Sequence, residues 1–147
     1  MHANRQIPVS IKGVLLLGGE VVLVKNPREE WELPGGRIDA GEDHAQALSR
    51  EFFEELSVDV EVSTYIDTYL FEVIPNRHVR IITYGCHLTG EFSPRVSDEH
   101  TEYCLYSVDK LSEINLPDGY RNSVERWSAA LQKIVDPSEH STTNGNG

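Results

Sequence analysis

The residues best suited to chemistry in this 147-residue chain are glutamates crowded into one short stretch. Glu51, Glu54 and Glu55 follow one another at i, i+3 and i+4, so their carboxylates would fall on one side of a helix. Like charges at i, i+4 cost an isolated helix about 0.2–0.5 kcal/mol. Carboxylates near a helix C-terminus are also unfavourable in the field of its dipole. The stretch is therefore either a solvated acidic face or a site for a cation.

A glycine-rich loop precedes these glutamates and favours the second interpretation. Gly35 and Gly36 follow Pro34, and the glycine pair ends six residues before Glu42. Glycines let a backbone approach other groups closely, and their carbonyls are hard oxygen donors. Mg²⁺ and Mn²⁺ prefer clustered carboxylates completed by backbone carbonyls and water.

The elements that would position these groups follow from the hydrophobic pattern. Between Asp43 and Leu56 the apolar residues recur at intervals of three and four, which predicts a helix with one apolar face. Two β-branched runs, Val14–Leu17 and Val21–Val24, flank Gly18-Gly19 and predict a hairpin. The prolines and glycines from Asn26 to Gly36 predict a long loop.

The second half of the chain predicts more strands and one more helix. Val58–Val73 and Val79–Leu88 read as strands paired across a turn at Pro75–Arg77, and Glu102–Ser107 as another strand after a polar loop. An amphipathic helix closes the pattern with Val124, Trp127, Leu131 and Ile134. We expect an α/β (α+β) fold, a mixed β-sheet flanked by helices, as one domain over residues 1–135. The polar residues 136–147 are expected to form a disordered tail.

The glutamate stretch resembles the signature of the Nudix hydrolases. That signature is Gly, five residues, Glu, seven, Arg-Glu-apolar, one, Glu-Glu, one, Gly-apolar. The matching residues here are Gly36, Glu42, Arg50-Glu51-Phe52, Glu54-Glu55 and Val58. Only Ser57 departs from the pattern, where the family has glycine. Trp31–Gly35 is similar to the usual lead-in, and the likeness extends over residues 6–135.

The resemblance implies an α/β/α sandwich with a loop–helix–loop metal site. Matched residue by residue, the metal ligands are the Gly36 carbonyl and the side chains of Glu51, Glu54 and Glu55, while Arg50 and Glu42 orient the helix and its carboxylates. The missing glycine at position 57 implies a serine in a left-handed turn, which costs a non-glycine residue about 1–2 kcal/mol.

The resemblance also implies hydrolysis of a phosphoanhydride in a nucleoside diphosphate linked to another group. Mg²⁺, with Mn²⁺ as a substitute, would neutralise the phosphates and lower the pKa of a bound water. Glu51, Glu54 and Arg50 are the expected catalytic residues in the helix. The base that removes the proton from water lies either there or in a later loop, where we favour Glu99 over Glu102.

The substrate is less constrained than the reaction. Lys25 and Arg28 precede the glycine loop and are candidates to bind phosphate, and Trp31 is a candidate to stack on a base or sugar. Pro75 lies near a proline position of ADP-ribose-type Nudix enzymes, but the spacing differs slightly and a Pro-Asn turn explains the residue without any substrate. An ADP-sugar such as ADP-ribose is the first expectation. An oxidised nucleoside triphosphate is the alternative. A nucleotide-sensing module without catalysis is the alternative from another class.

Composition limits the partners. There are 24 Asp and Glu against 13 Lys and Arg, a net charge of −11, which argues against binding long nucleic acid. No run approaches the length of a membrane span, and the first residues show no signal-peptide pattern. Two cysteines, Cys86 and Cys104, are too few for a disulfide scaffold, so we expect a cytoplasmic protein. Family resemblance implies a homodimer.

Overall fold

The structure, a computed structural model, describes residues 6–96, 98 and 102–135. The elements in chain order are β1 (Val9–Leu17), β2 (Glu20–Lys25), β3 (Trp31–Glu32), β4 (Gly35–Arg37), α1 (His44–Leu56), β5 (Val60–Ile74), β6 (Arg77–Leu88), β7 (Glu102–Ser107), a 3₁₀ helix (Val108–Glu113) and α2 (Asp118–Val135).

Strand β1 is the centre of a mixed sheet. From Val9 to Leu15 it pairs in parallel with β6, and its other edge pairs antiparallel with β4. Its last residues turn to β2, which in turn pairs with β3 and β7. The β1–β2 hairpin turns at Gly18 and Gly19, whose φ angles of +59° and +87° match the positive values of the expected glycine turn.

Two hydrophobic cores lie on the two faces of this sheet. On one face α1 buries Leu48, Phe52 and Leu56 against the sheet, and on the other α2 buries Tyr120, Val124 and Trp127. Alternate residues of β1 serve the two cores, Ile11 and Leu15 on the α1 face and Val14 on the α2 face. This arrangement confirms the expected sandwich with a mixed sheet between helices.

The loop expected from Asn26 to Gly36 is not wholly irregular. It contains the two-residue strand β3, which pairs with β2, and it ends in β4, which pairs with β1 at Ile11 and its neighbours. The sequence did not predict these two strands, because strands of two or three residues carry almost no hydrophobic pattern and the prolines and glycines around them are typical of a loop. Consequently Gly36 is held in a sheet next to α1 and is not on a free loop.

The turn predicted between the two long strands β5 and β6 lies at Pro75-Asn76. The predicted last helix is α2, which begins at Asp118, before its first apolar residues. Cys86 and Cys104 are free thiols in β6 and β7. Among the described residues no helix is long and apolar enough to cross a membrane. The expected tail, residues 136–147, lies outside the described residues.

Candidate metal and diphosphate site

Helix α1 is fixed at both ends by its own sequence. At the start, the Asp43 carboxylate accepts a hydrogen bond from Gln46 N at 2.8 Å, and the Gln46 side chain accepts one from Asp43 N at 2.9 Å. At the end, Ser57 adopts a left-handed conformation with φ 57° and ψ 36°, and its N–H donates to Phe53 O. The serine therefore takes the conformation for which glycine would be the unstrained residue.

Arg50 connects the helix to the loop after β4. Its guanidinium donates to both carboxylate oxygens of Glu42, at 2.6 and 3.0 Å, and to the backbone carbonyl of Arg37 at 3.0 Å. This pairing lowers the pKa of Glu42 and raises that of Arg50. The same guanidinium contacts Glu51 at 3.2 Å and Glu54 at 3.1 Å. Arg50 thus sets the positions of the two glutamates that the resemblance assigns to metal and catalysis.

A pocket of about 380 Å³ opens beside this network. Its lining residues come from the 26–37 segment and from α1: Asn26, Pro27, Glu32, Gly35, Gly36, Arg37, Glu51 and Glu55. A Cβ at position 36 would stand 2.6 Å from Glu51 Oε2, so only glycine allows the carboxylate to lie against this strand. Asn26 shapes the wall because its side-chain oxygen accepts hydrogen bonds from Arg28 N and Glu30 N.

Glu55 is the most unusual acid of the pocket. It is 4% exposed, and its carboxyl accepts a hydrogen bond from Gly35 N at 3.3 Å. Burial raises the pKa of Glu55, and neighbouring Glu51 raises it further, while the charge of Lys12 opposes the shift. A buried carboxyl beside a second carboxylate is stabilised either by a proton or by a cation. Hard oxygens in this state suit a divalent cation that displaces the proton.

Glu54 stands apart from this pair. Its side chain is 58% exposed and contacts Arg50, and it does not line the pocket. Among the described residues no three His, Cys, Asp or Glu side chains are gathered around one metal position. The donor set therefore fits a divalent cation through Glu51, Glu55 and the Gly36 backbone, and Glu54 would join only by leaving Arg50.

The predicted substrate-binding residues are engaged elsewhere. Lys25 lies over the Trp31 ring, 4.9 Å from its centroid, and its ammonium forms ion pairs with Glu29 and Glu102. Arg28 pairs with Glu30 at 3.1 Å. None of Lys25, Arg28 and Trp31 lines the carboxylate pocket. They support the shape of the 26–31 loop, and their role in substrate binding stays a prediction.

The two candidates for a base in the later loop have different outcomes. Glu99 lies outside the described residues. Glu102 begins β7, forms an ion pair with Lys25 at 3.3 Å and does not line the carboxylate pocket. The preference for Glu99 over Glu102 stays a prediction.

Sequence reasoning missed two basic residues. Lys12 is buried within β1, with its ammonium 4.0 Å from Glu32 Oε1. Arg37 lines both the carboxylate pocket and a second pocket of about 440 Å³, whose other lining residues are Pro8, Ser10, Val73, Ile74, Arg77, His78 and Val79. Two features of the sequence could have indicated them: Lys12 lies inside an apolar run, and Arg37 directly follows the glycine pair of the site.

Acidic residues on a helix after a glycine strand, held by one arginine within an α/β/α sandwich, form the arrangement that the resemblance to the Nudix hydrolases implies. The chain belongs to the NUDIX domain family, whose model matches residues 8–127. It is accordingly a hydrolase that acts on acid anhydrides, and its substrates are small nucleotide compounds.

Individual relatives agree with this assignment. The chain is 28% identical over 135 residues to "Putative 8-oxo-dGTP diphosphatase 2" of Mycobacterium tuberculosis, covering 88% of this chain and 92% of that protein. A MutT NUDIX hydrolase from Burkholderia pseudomallei superimposes with a TM-score of 0.71 at 28% identity, covering 83% and 98% of the two chains. An ADP-ribose pyrophosphatase from Streptococcus suis shares the fold, with a TM-score of 0.63 at 23% identity and coverage of 88% and 92%.

Proposed function

We propose that this protein hydrolyses a phosphoanhydride bond in a nucleoside diphosphate linked to a further group, with Mg²⁺ as the cofactor and Mn²⁺ as a substitute. One observation supports this most strongly. Glu51 and the buried Glu55 line the same pocket, Glu51 against Gly36 and Glu55 hydrogen-bonded to Gly35 N, and such hard oxygen donors suit a divalent cation.

In the proposed reaction, separate residues would bind the cation, position its ligands and accept a proton from water. The bound cation would neutralise phosphate charge and acidify a water molecule. Glu51 and Glu55 would hold the cation, and Arg50 keeps Glu51 in place through its 3.2 Å contact. Glu54 is exposed and contacts the same Arg50 guanidinium as Glu51, so it is the candidate in α1 to accept the proton of the attacking water. Glu99 is the candidate outside the helix.

The second pocket is a suitable place for the nucleoside half of the substrate. Val73, Ile74 and Val79 give it apolar walls, and Arg77 and His78 add polar edges that can bind phosphate or a base. Arg37 lines both pockets, so it is a candidate to contact both the diphosphate near Glu51 and the nucleoside half of the substrate.

Two substrate classes are compatible with this arrangement. A nucleoside triphosphate with an oxidised base is supported by the name of the M. tuberculosis relative, which the chain matches over nearly its whole length. An ADP-sugar such as ADP-ribose is the first expectation from sequence, and the ADP-ribose pyrophosphatase of S. suis shares this fold. We place the triphosphate first because the M. tuberculosis relative resembles this chain in sequence, at 28% identity over 135 residues, whereas the S. suis enzyme shows only the shared fold.

A hydrolysis panel separates these substrates. Deoxynucleoside triphosphates, their 8-oxo forms, ADP-ribose, other nucleotide sugars and dinucleotides are each incubated with and without Mg²⁺, and products are resolved by chromatography. Pyrophosphate and a nucleoside monophosphate from a triphosphate support the first class, and AMP with ribose phosphate from ADP-ribose supports the second. Thermal stabilisation by a nucleotide that is never consumed would overturn the proposal in favour of a sensing module.

We further propose that the protein is a cytoplasmic homodimer. The two thiols are free, as in a reducing compartment. Strand β5 ends one path of the sheet and exposes Tyr65 and Leu70, which offer apolar contacts to a second copy outside the second pocket. Light scattering after size exclusion should give twice the mass of 16.6 kDa, and a monomer mass would contradict the dimer.

A further inference from the structure

Lys12 is a buried charge in an otherwise apolar strand segment. The residue is 7% exposed and lies on the α2 face of β1, next to Tyr120, whose ring centroid is 6.0 Å from the ammonium. Its other close neighbour is Glu32, at 4.0 Å. A buried ammonium lowers the stability of the fold unless an opposite charge compensates it. The position of Lys12 is therefore explained by the acidic groups that surround it.

The groups around Lys12 are the acids of the carboxylate pocket. Glu32 and Glu55 line that pocket, and Lys12 stands behind its lining. Register places Lys12 opposite Gly35 of β4, and the N–H of Gly35 donates to Glu55. Burial by itself lowers the pKa of Lys12, but Tyr120, Glu32, Glu55 and Glu51 outweigh it and raise the pKa, so the ammonium stays charged.

We propose that Lys12 is a positioning residue: a fixed counter-cation behind the pocket that holds Glu32 and Glu55, opposes binding of free divalent cation and favours binding of the anionic substrate. The inference rests on the proposed function, because it concerns the affinities of the same pocket for the divalent cation and for the phosphate groups of the substrate. Lys12 does not line the pocket, so it acts through the acids in front of it.

The sign of each effect follows from charge. A divalent cation in the pocket brings two positive charges toward Lys12, so the ammonium repels it. A metal-bound di- or triphosphate is negative overall and is attracted. For charges several ångströms apart in a partly hydrated site, each effect amounts to about threefold to tenfold in affinity.

The test uses Lys12→Met, which keeps an unbranched side chain of similar length and removes the charge. Isothermal titration measures Mg²⁺ binding to the nucleotide-free protein, and then inorganic pyrophosphate binding in the presence of Mg²⁺. Lys12→Arg restores the charge at the same place. Lys133→Met, at an exposed position of α2, makes the same change in net charge outside the pocket.

We expect Lys12→Met to bind Mg²⁺ about threefold to tenfold more tightly and pyrophosphate more weakly by a similar factor. Lys12→Arg and Lys133→Met should behave like the unchanged protein. A gain in metal affinity cannot arise from a misfolded variant, since damage to the pocket only weakens binding. Mg²⁺ affinity in Lys12→Met that is unchanged or reduced overturns the role of Lys12. Absence of Mg²⁺ binding in the unchanged protein overturns the proposed function itself.

Discussion

Gly36 and Glu51 fit against each other so closely that a Cβ on residue 36 would stand 2.6 Å from Glu51 Oε2. The two residues lie fifteen positions apart in the chain, one in β4 and the other in α1. Their contact joins the glycine strand to the acidic helix, and Arg50 reinforces the junction by donating to Arg37 O.

Gly36→Ala should therefore displace the Glu51 carboxylate and lower kcat. We expect a loss of about tenfold to 100-fold, the size found when a catalytic group is misplaced by about 1 Å. Steady-state kinetics on Gly36→Ala, Glu51→Gln and the double variant measure it. If the alanine acts through Glu51, the two effects will not add in the double variant, and full additivity would contradict the interpretation.

Glu54→Gln and Glu55→Gln each replace a carboxyl group of the candidate site by an amide. Each should reduce kcat by about 100-fold or more while the fold is retained, because glutamine has the same shape but can neither accept the proton nor bind the cation well. Circular dichroism checks the fold. Glu125→Gln, at an exposed position of α2, is the matched control. Activity retained in both Glu54→Gln and Glu55→Gln would remove these residues from the mechanism.

Glu55 also predicts a pH dependence of stability in the metal-free protein. Burial raises the pKa of Glu55 from its usual 4.5 to about 9. The folded protein thus holds a proton that the unfolded chain releases above pH 4.5, and the contribution to stability is lost as the pH rises toward 9.

Urea unfolding in the presence of a chelator measures this effect. The midpoint should fall between about pH 5 and pH 9, and the fall should be smaller in Glu55→Gln. Saturating Mg²⁺ should also reduce it, because the cation replaces the proton. The same slope in Glu55→Gln would assign the pH dependence to other groups.

Ser57 predicts a stabilising substitution. Ser57→Gly removes the cost of a left-handed serine, about 1–2 kcal/mol, and gives back part of it in unfolded-chain entropy. The expected net gain is about 0.5–1 kcal/mol in the free energy of unfolding, from urea denaturation. Ser63→Gly, at an exposed extended position of β5, should instead destabilise the protein. Equal effects of the two substitutions would contradict strain at Ser57.

Arg50→Lys tests the orienting network. Lysine keeps the charge but cannot donate to both oxygens of Glu42 and reach Glu51 and Glu54 at once. We expect kcat to fall about tenfold with a smaller change in KM, because alignment and not binding is lost. Arg121→Lys, which changes an exposed pairing with Asp118, is the control. Unchanged kcat in Arg50→Lys would show that the carboxylates align without the guanidinium.

The parts of the fold that the sequence predicts are those with a repeated local pattern. The apolar spacing of Leu48, Phe52 and Leu56 defines α1, and the glycine pair at 18 and 19 defines the first hairpin. β3 and β4 were missed because two or three residues carry no periodicity, and their pairing with β2 and β1 is a tertiary event.

The site divides in the same way. The resemblance to the Nudix signature grouped Gly36 with Glu51, Glu54 and Glu55, and all of these except Glu54 line one pocket. It did not indicate that Glu54 turns to Arg50 or that Lys25 and Trp31 contact each other, since rotamers and ion pairs depend on neighbours far along the chain. Lys12 shows the same gap, because a lone lysine in a strand reads as a surface charge until the acids around it are known.

Manganese binding tests the central claim most directly, since Mn²⁺ bound to protein is distinguished from free Mn²⁺ by electron paramagnetic resonance. Titrations compare the unchanged protein with Glu51→Gln, Glu55→Gln and the control Glu125→Gln. The account predicts bound Mn²⁺ in the unchanged and control proteins, displacement of that Mn²⁺ by Mg²⁺, and its loss in the other two. Equal binding in all four proteins would place the cation elsewhere and contradict the carboxylate pocket as the metal site.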